Sequence, residues 1–238
     1  MLEREVKLGA GPAFHLPDLA GVIEGVGVGP SETVRLDTVY FDTPDLRLAR
    51  WGLSLRHRAG EGWTLKLPPP PSVPGKPTAV LERDELSFEG GAKKPPAAVL
   101  EVVRAYVRKA ELVPVARLST VRRRVRLVDP AGVRVAEVVD DEVSVRDGRR
   151  VAARFREIEV EVPGEDGVEG VITPLVTRLR SAGAGAPDPT PKHIRALGPR
   201  AIEPPEVAPE PLLPNAPARD VIRNAISESV ASLLHHDP

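Results

Sequence analysis

The chain has 238 residues, 33 basic against 34 acidic side chains for a formal net charge of -1, and no cysteine. It is long enough to bury a sizeable core, as one large domain or as one domain with an appendage. The charge balance argues against a nucleic-acid-binding groove, so any anion site must be local, and the missing cysteines exclude disulfides, thiolate zinc sites and cysteine nucleophiles.

The opening MLEREVKLG lacks the basic and apolar regions of a signal peptide, and no apolar run approaches the roughly 18 residues of a membrane span. The expectation is a soluble, cytoplasmic protein with no membrane partner. Residues 1–8 alternate as a strand, with Glu3, Glu5 and Lys7 on one face and Leu2, Arg4, Val6 and Leu8 on the other. Two carboxylates with an ammonium two residues on suit a divalent cation held beside an anionic ligand. A solvated edge strand explains the same pattern.

Residues 18–28, bounded by Gly and Pro, read as a short helix. Residues 33–42, 53–58 and 63–67, rich in Val, Thr, Tyr, Phe and alternating Leu, read as neighbouring strands. Pro68 to Pro71 end the last of them, because proline cannot donate to a ladder; a loop to Pro77 follows and a strand resumes over 80–88. Val99, Val102, Val103, Tyr106 and Ala110 recur at helical spacing, which predicts a helix over 97–110. Residues 120–127, 133–141, 143–147 and 150–162 read as antiparallel strands, with Asp147-Gly148 suited to a type I′ hairpin turn. A helix over 168–180 buries Val168, Val171, Ile172, Leu175 and Leu179 and stops near Gly183.

Seven prolines between 199 and 217 predict a stiff linker and a domain boundary. Beyond it, residues 218–236 form an amphipathic helix with nothing following it in the chain, as if a second domain began there. His235 and His236 are adjacent and so diverge on a helix, which suits a solvated helix end better than a metal pair. His15, His57 and His193 are scattered, and His57 alternates with Arg56 and Arg58 and so faces away from them. None of the histidines has a pattern that marks a catalytic role.

The strands share a persistently charged face. Arg56 and Arg58 are two apart, as are Arg122, Arg124 and Arg126; Glu137 and Asp141 are four apart; Glu157, Glu159 and Glu161 form an unbroken row. In an open sheet such faces meet water, whereas in a closed barrel with helices outside they line the lumen. Three carboxylates in a row repel one another, a cost best offset by metal ions or facing arginines, so the lumen explains them better. Arginine and lysine there would grip phosphate oxygens, and clustered carboxylates would hold divalent cations. Only 7 of the 33 basic residues are lysine, and Lys7, Lys66 and Lys192 all fall in patterned segments.

In chain order, Glu3-x-Glu5-x-Lys7, Tyr40-x-Asp42-Thr43, Leu55-Arg56-His57-Arg58, Thr64-Leu65-Lys66, Arg83-Asp84-Glu85, Thr120-Val121-Arg122, AEVVDDEV with Glu137 and Asp141, EIEVEV before Gly164, and PKHIRALG with Lys192 and Arg195 resemble the CYTH domains, or triphosphate tunnel metalloenzymes. The resemblance spans residues 1–198. It implies a mainly β (α+β) fold, an antiparallel β-barrel tunnel of about eight strands with helices packed outside, and hydrolysis of a triphosphate with Mg²⁺ or Mn²⁺. Residues 218–238 are similar to the opening helix of a CHAD domain, a helical module linked to polyphosphate, which would make 199–217 a linker and that domain a partner.

Residue by residue, the resemblance implies phosphate contacts from Lys7, Arg56, Arg58, Lys66, Arg83, Arg122, Arg124 and Lys192. It implies metal coordination by Glu3, Glu5, Glu137, Asp141, Glu159 and Glu161, with Glu3, Glu5, Lys7 and Lys66 closest to the chemistry and Glu85 and Glu157 as weaker candidates. Arg126 falls near the rim and Arg123 on the outer face. The expected reaction is metal-dependent cleavage of inorganic triphosphate or a related short triphosphate. A polyphosphate-binding module without turnover and a class IV-type adenylate cyclase are the alternatives; the cyclase needs a purine pocket, and aromatic residues are 3% of the chain. Thiamine triphosphate is a further substrate candidate, for which Trp51 would offer a stacking ring.

Overall fold

The computed structural model describes residues 2–68, 80–164 and 168–236, with the side chains of Leu2, Glu3 and Glu82 outside the description. Most of the loop expected up to Pro77 lies outside the described residues. The strands are β1 (Leu2–Ala10), β2 (Gly27–Val28), β3 (Glu32–Asp42), β4 (Ser54–Arg58), β5 (Gly62–Lys66), β6 (Leu81–Phe88), β7 (Val113–Val128), β8 (Arg134–Asp147) and β9 (Arg150–Val162). The helices are α1 (Arg47–Arg50), α2 (Ala97–Val107), α3 (Val168–Ser181), α4 (Lys192–Leu197) and α5 (Ala218–His236), with a 3-10 turn at Pro199–Ile202.

Every ladder is antiparallel, and the order β7-β3-β4-β5-β6-β1-β9-β8 closes when β8 pairs back onto β7. Eight strands thus form a barrel, and the two-residue β2 extends the β7 edge beyond β3. Closure removes the free edges that an open sheet would expose. It also gives the period-two pattern its meaning, because one row of each strand must point into the lumen.

The outward rows are apolar where helices cover them. Val6, Leu8, Val138, Ile158 and Val160 pack with Ile172, Leu175 and Leu179 of α3. On the opposite wall Phe41, Leu55, Trp63 and Leu65 pack with Val99, Val103, Tyr106 and Val107 of α2. Each fully buried aliphatic or aromatic side chain contributes roughly 1.5–3 kcal/mol, so these two layers dominate the stability of the wall. The inward rows are charged through the middle. Toward one end they become apolar, with Tyr40, Leu118, Val143 and Val145 clustered beneath Ala196 of α4.

Several local expectations change. Residues 18–28 form turns leading into β2, because Gly21 and Gly25 sit at φ 70° and 73° and a left-handed residue halts a helix. The i→i−3 bonds Val22 N–H to Leu19 O and Val26 N–H to Ile23 O, both 3.3 Å, are the turns that result. The segments 133–141 and 143–147 are one strand, β8, and β7 begins seven residues earlier than the first residue expected. Helix α2 stops at Val107 because Arg108 turns to φ 54°. The β8–β9 loop is Gly148-Arg149, between the paired Asp147 and Arg150. Only Gly148 has positive φ there, at 55°, which is the glycine-first pattern of a type II′ turn rather than type I′.

Helix α5 keeps its expected bounds and packs back onto the barrel. Val230, Ala231 and Leu234 join the α2 layer, the Tyr106 hydroxyl donates to the Leu234 carbonyl at 2.7 Å, and His235 meets the edge of Trp51 at 5.5 Å. Ile222 and Ile226, on the preceding turns, stay about 60% exposed. Among the described residues, no helix is long and apolar enough to cross a membrane.

Candidate functional site

The site follows from register. Lys7 of β1 lies opposite Glu159 of β9, Glu5 opposite Glu161, and Arg122 of β7 opposite Asp141 of β8, so inward acids and bases meet across neighbouring strands. From the opposite wall β4, β5 and β6 direct Arg56, Lys66 and Arg83 into the same space. The last contribution comes from outside the sheet. After α3 the chain runs along β1, with Gly185 N–H to Gly9 O at 2.8 Å and Asp188 N–H to Lys7 O at 2.9 Å, and this delivers Lys192 and His193 of α4 to the cavity.

The cavity is lined by Glu5, Lys7, Tyr40, Ser54, Arg56, Lys66, Arg83, Arg122, Glu159, Glu161, Pro191, Lys192 and His193. Its centre is Glu159, whose Oε1 accepts from Lys7 Nζ at 2.5 Å and Lys192 Nζ at 2.7 Å, and whose Oε2 accepts from Arg122 at 3.0 Å. Burial alone would raise the Glu159 carboxyl, but Lys192, Lys7 and Arg122 outweigh it and hold the group well below the usual carboxylate range. Burial likewise favours neutral Lys7, and Glu159, Glu5 and Glu157 overcome it, so the ammonium stays charged. Glu157 differs: it is fully buried, and burial outweighs the attraction of Lys192 and Lys7, which raises its carboxyl.

Glu5, Glu159 and Glu161 each place an oxygen within 4.8 Å of the others. Three hard oxygens converging beside the cationic side chains of the lining fit a divalent ion such as Mg²⁺ or Mn²⁺, and their donor chemistry does not suit a soft metal. Glu3 lies one step along the same row, opposite Arg83 in register, with its side chain outside the described residues.

Other candidates sit around rather than in the cavity. Asp141, with no exposed surface, takes Arg122 in a two-point contact at 2.9 and 2.7 Å and Lys192 at 3.0 Å. Glu157 takes Lys192 at 2.6 Å and Arg195 at 3.6 Å, and Glu85 pairs with Lys66. Glu137 is bonded by Arg126 at 3.0 Å and stands opposite Glu161. Arg58 donates to the Thr38 hydroxyl and to Glu61, and Arg124 reaches Glu32 at the rim. Arg123 faces outward onto Asp140 and Glu142.

Two aromatic side chains, Trp51 and His193, take contrasting positions. Trp51 is 6% exposed and packs against Tyr106 and His235 in the outer layer, so it offers no stacking face to the cavity. His193, which no spacing signal marks, lines the cavity and stacks on Tyr40 with ring centroids 5.3 Å apart. Adjacency to Lys192 in PKHIRALG is the one sequence feature that connects it to the site. Burial, reinforced by Arg83, Lys7 and Lys66, pushes its imidazole down to about 3.

Uncharacterized proteins of two Mycobacterium tuberculosis strains are 36% identical over an alignment of 254 positions that takes in 99% of this chain and 47% of theirs. The chain spans about half the length of the curated relatives it matches. Among solved structures, a Pyrococcus horikoshii protein matches at TM-score 0.43 and 18% identity, over 79% of this chain and 94% of that one. A Hippeastrum protein described as a putative adenylyl cyclase with a dominant triphosphatase activity matches at TM-score 0.44 and 20% identity, over 82% and 94%. The CYTH domain model covers residues 1–192, from the first charged row to Lys192, and the chain belongs to the CYTH family.

Proposed function

We propose that this protein hydrolyses inorganic triphosphate, or a related short triphosphate, with Mg²⁺ or Mn²⁺. The observation that carries this reading is one cavity wall that joins six cations, Lys7, Arg56, Lys66, Arg83, Arg122 and Lys192, to the carboxylates Glu5, Glu159 and Glu161. Six cationic side chains suit an elongated polyanion, and guanidinium groups offer two-point contacts to phosphate oxygens. A module that only held polyphosphate would need the cations; the converging carboxylates favour turnover.

Glu5, Glu159 and Glu161 would hold the metal, with Glu3 extending the row. A bound divalent ion supplies charge neutralisation at phosphate oxygens and lowers the pKa of coordinated water. The protein's own groups do the positioning. Asp141 fixes the Arg122 guanidinium and Lys192, and Glu157 anchors Lys192 and Arg195, so these cations are aimed before substrate arrives. Lys7 and Lys192 exchange Glu159 contacts for phosphate contacts when the anion enters. Residues 1–198 would form the catalytic domain, 199–217 the linker, and 218–238 the start of a CHAD-like module.

The test is phosphate release from tripolyphosphate, ATP and long-chain polyphosphate, each with Mg²⁺, Mn²⁺ or chelator, and cyclic nucleotide assayed in the ATP samples. Metal-dependent release from tripolyphosphate well above ATP is expected. Tight polyphosphate binding without release would make the protein a phosphate-holding module, and cyclic AMP would make it a cyclase.

A further inference from the structure

Among the described residues that line the cavity, His193 carries a buried ring nitrogen that no hydrogen bond satisfies. His193 is 5% exposed, and its Nε2 is buried with no hydrogen-bond partner. Buried polar atoms in folded proteins are nearly always paired, and leaving one unpaired costs folding free energy, so an exception inside a site calls for a partner that arrives later. Burial keeps the imidazole neutral, and the charges of Arg83, Lys7 and Lys66 add to that effect. A neutral imidazole carries one N–H, and groups that only donate cannot accept it.

The ring is also held in place. Its stacking on Tyr40 is nearly parallel, at 25° between planes, and Pro191 and the buried Lys192 fix the start of α4 beside it. Tyr40 belongs both to the cavity lining and to the apolar cluster with Leu118, Val143 and Val145. His193 therefore stands where the charged part of the lumen gives way to its apolar end. An anion lying along the cations would meet the imidazole with the phosphate group nearest α4.

We propose that His193, in the tautomer protonated at Nε2, donates a hydrogen bond to a phosphate oxygen of the bound triphosphate and is a substrate-binding residue at the α4 end of the cavity. This inference rests on the triphosphate reading of the same site. A neutral donor adds direction without adding charge, so it fixes where the phosphate chain stops along a wall of cations that would otherwise let it slide.

The experiment compares wild type, His193→Phe and His193→Gln by calorimetric titration with tripolyphosphate in chelator, by thermal unfolding without ligand, and by phosphate release with Mg²⁺. Phenylalanine keeps the stack on Tyr40 and removes the nitrogen; glutamine keeps a neutral N–H. His193→Phe is expected to weaken tripolyphosphate binding by about 10- to 100-fold, the range for a hydrogen bond to a charged partner. Its ligand-free melting temperature should equal or exceed that of wild type, because an unpaired buried nitrogen has been removed. His193→Gln should recover at least part of the affinity. Unchanged binding in His193→Phe overturns the proposal and leaves the triphosphatase reading intact. A lower ligand-free melting temperature with no recovery in His193→Gln makes the residue structural and also overturns it. Wild type that binds but releases no phosphate removes the hydrolase reading while the affinities still decide His193. Wild type that fails to bind removes both.

Discussion

Replacing Glu159 with glutamine removes one charge from the centre of the cavity with little change in shape. In the fold this carboxylate is shared by Lys7 at 2.5 Å, Lys192 at 2.7 Å and Arg122 at 3.0 Å. The substitution leaves the buried Lys7 and Lys192 and the half-buried Arg122 to divide Asp141, Glu157 and Glu5 among them. Breaking a buried pair by removing one partner costs about 3–5 kcal/mol. A chain of this size loses about 2–4 °C per kcal/mol, so the melting temperature should fall by roughly 6–20 °C. Because the Glu159 carboxyl is held far below its ordinary value, its contribution is complete at neutral pH and is lost only as pH falls through that depressed value. Tripolyphosphate supplies the missing negative charge, so in chelator it should raise the melting temperature of Glu159→Gln more than that of wild type. Turnover with Mg²⁺ should drop by at least about 10- to 100-fold, the cost of disturbing even the surroundings of a metal. Scanning fluorimetry with and without tripolyphosphate, followed by a phosphate-release assay, measures all three. Wild-type melting in the variant would refute the network, and wild-type turnover would refute the role of Glu159 in the reaction.

Asp42 accepts backbone N–H bonds from Thr43, Leu48 and Ala49 at 2.7–2.9 Å, yet burial raises its carboxyl to about 6, above its unfolded value. The folded state then binds the proton more tightly, so wild type should gain about 1 kcal/mol over Asp42→Asn between pH 7 and pH 5 in urea titrations. A difference that stays flat, or shrinks, contradicts this sign. Asp140 is 1% exposed on the outer wall and takes Arg156 in two bonds of 2.8 Å. Asp140→Asn should destabilise by about 3 kcal/mol and leave kcat unchanged, because the lumen does not see it; a fall in kcat at a temperature where the variant is folded would tie the outer wall to the site. Tyr106→Phe deletes the bond to the Leu234 carbonyl and should cost about 1 kcal/mol, with faster hydrogen exchange confined to α5. Exchange that accelerates in α2 and the strands as well would mean that α5 is not separately docked.

The barrel was legible because a strand has a period of two and the inward rows were written in charge. Glu157, Glu159 and Glu161 alternate without a break, and closure puts all three inside. Position along the barrel axis was not legible, because it depends on cross-strand register, which is non-local. Arg124 shares a row with Arg122 and Arg58 with Arg56, yet Arg124 ends on Glu32 and Arg58 on Thr38 and Glu61. His193 was hidden for a different reason. On α4 two adjacent residues both reach the cavity, because a short helix laid across the barrel end presents its first turn to the lumen. Whole-chain charge misleads in the same way. A net charge of -1 argues against a broad anion surface, but the lining sets six cations against three carboxylates. The compensating acids Asp141 and Glu157 lie fully buried behind the wall, where they orient Arg122 and Lys192 without presenting charge to the cavity. That division, acids behind and cations in front, can concentrate an anion inside a protein that carries almost no net charge.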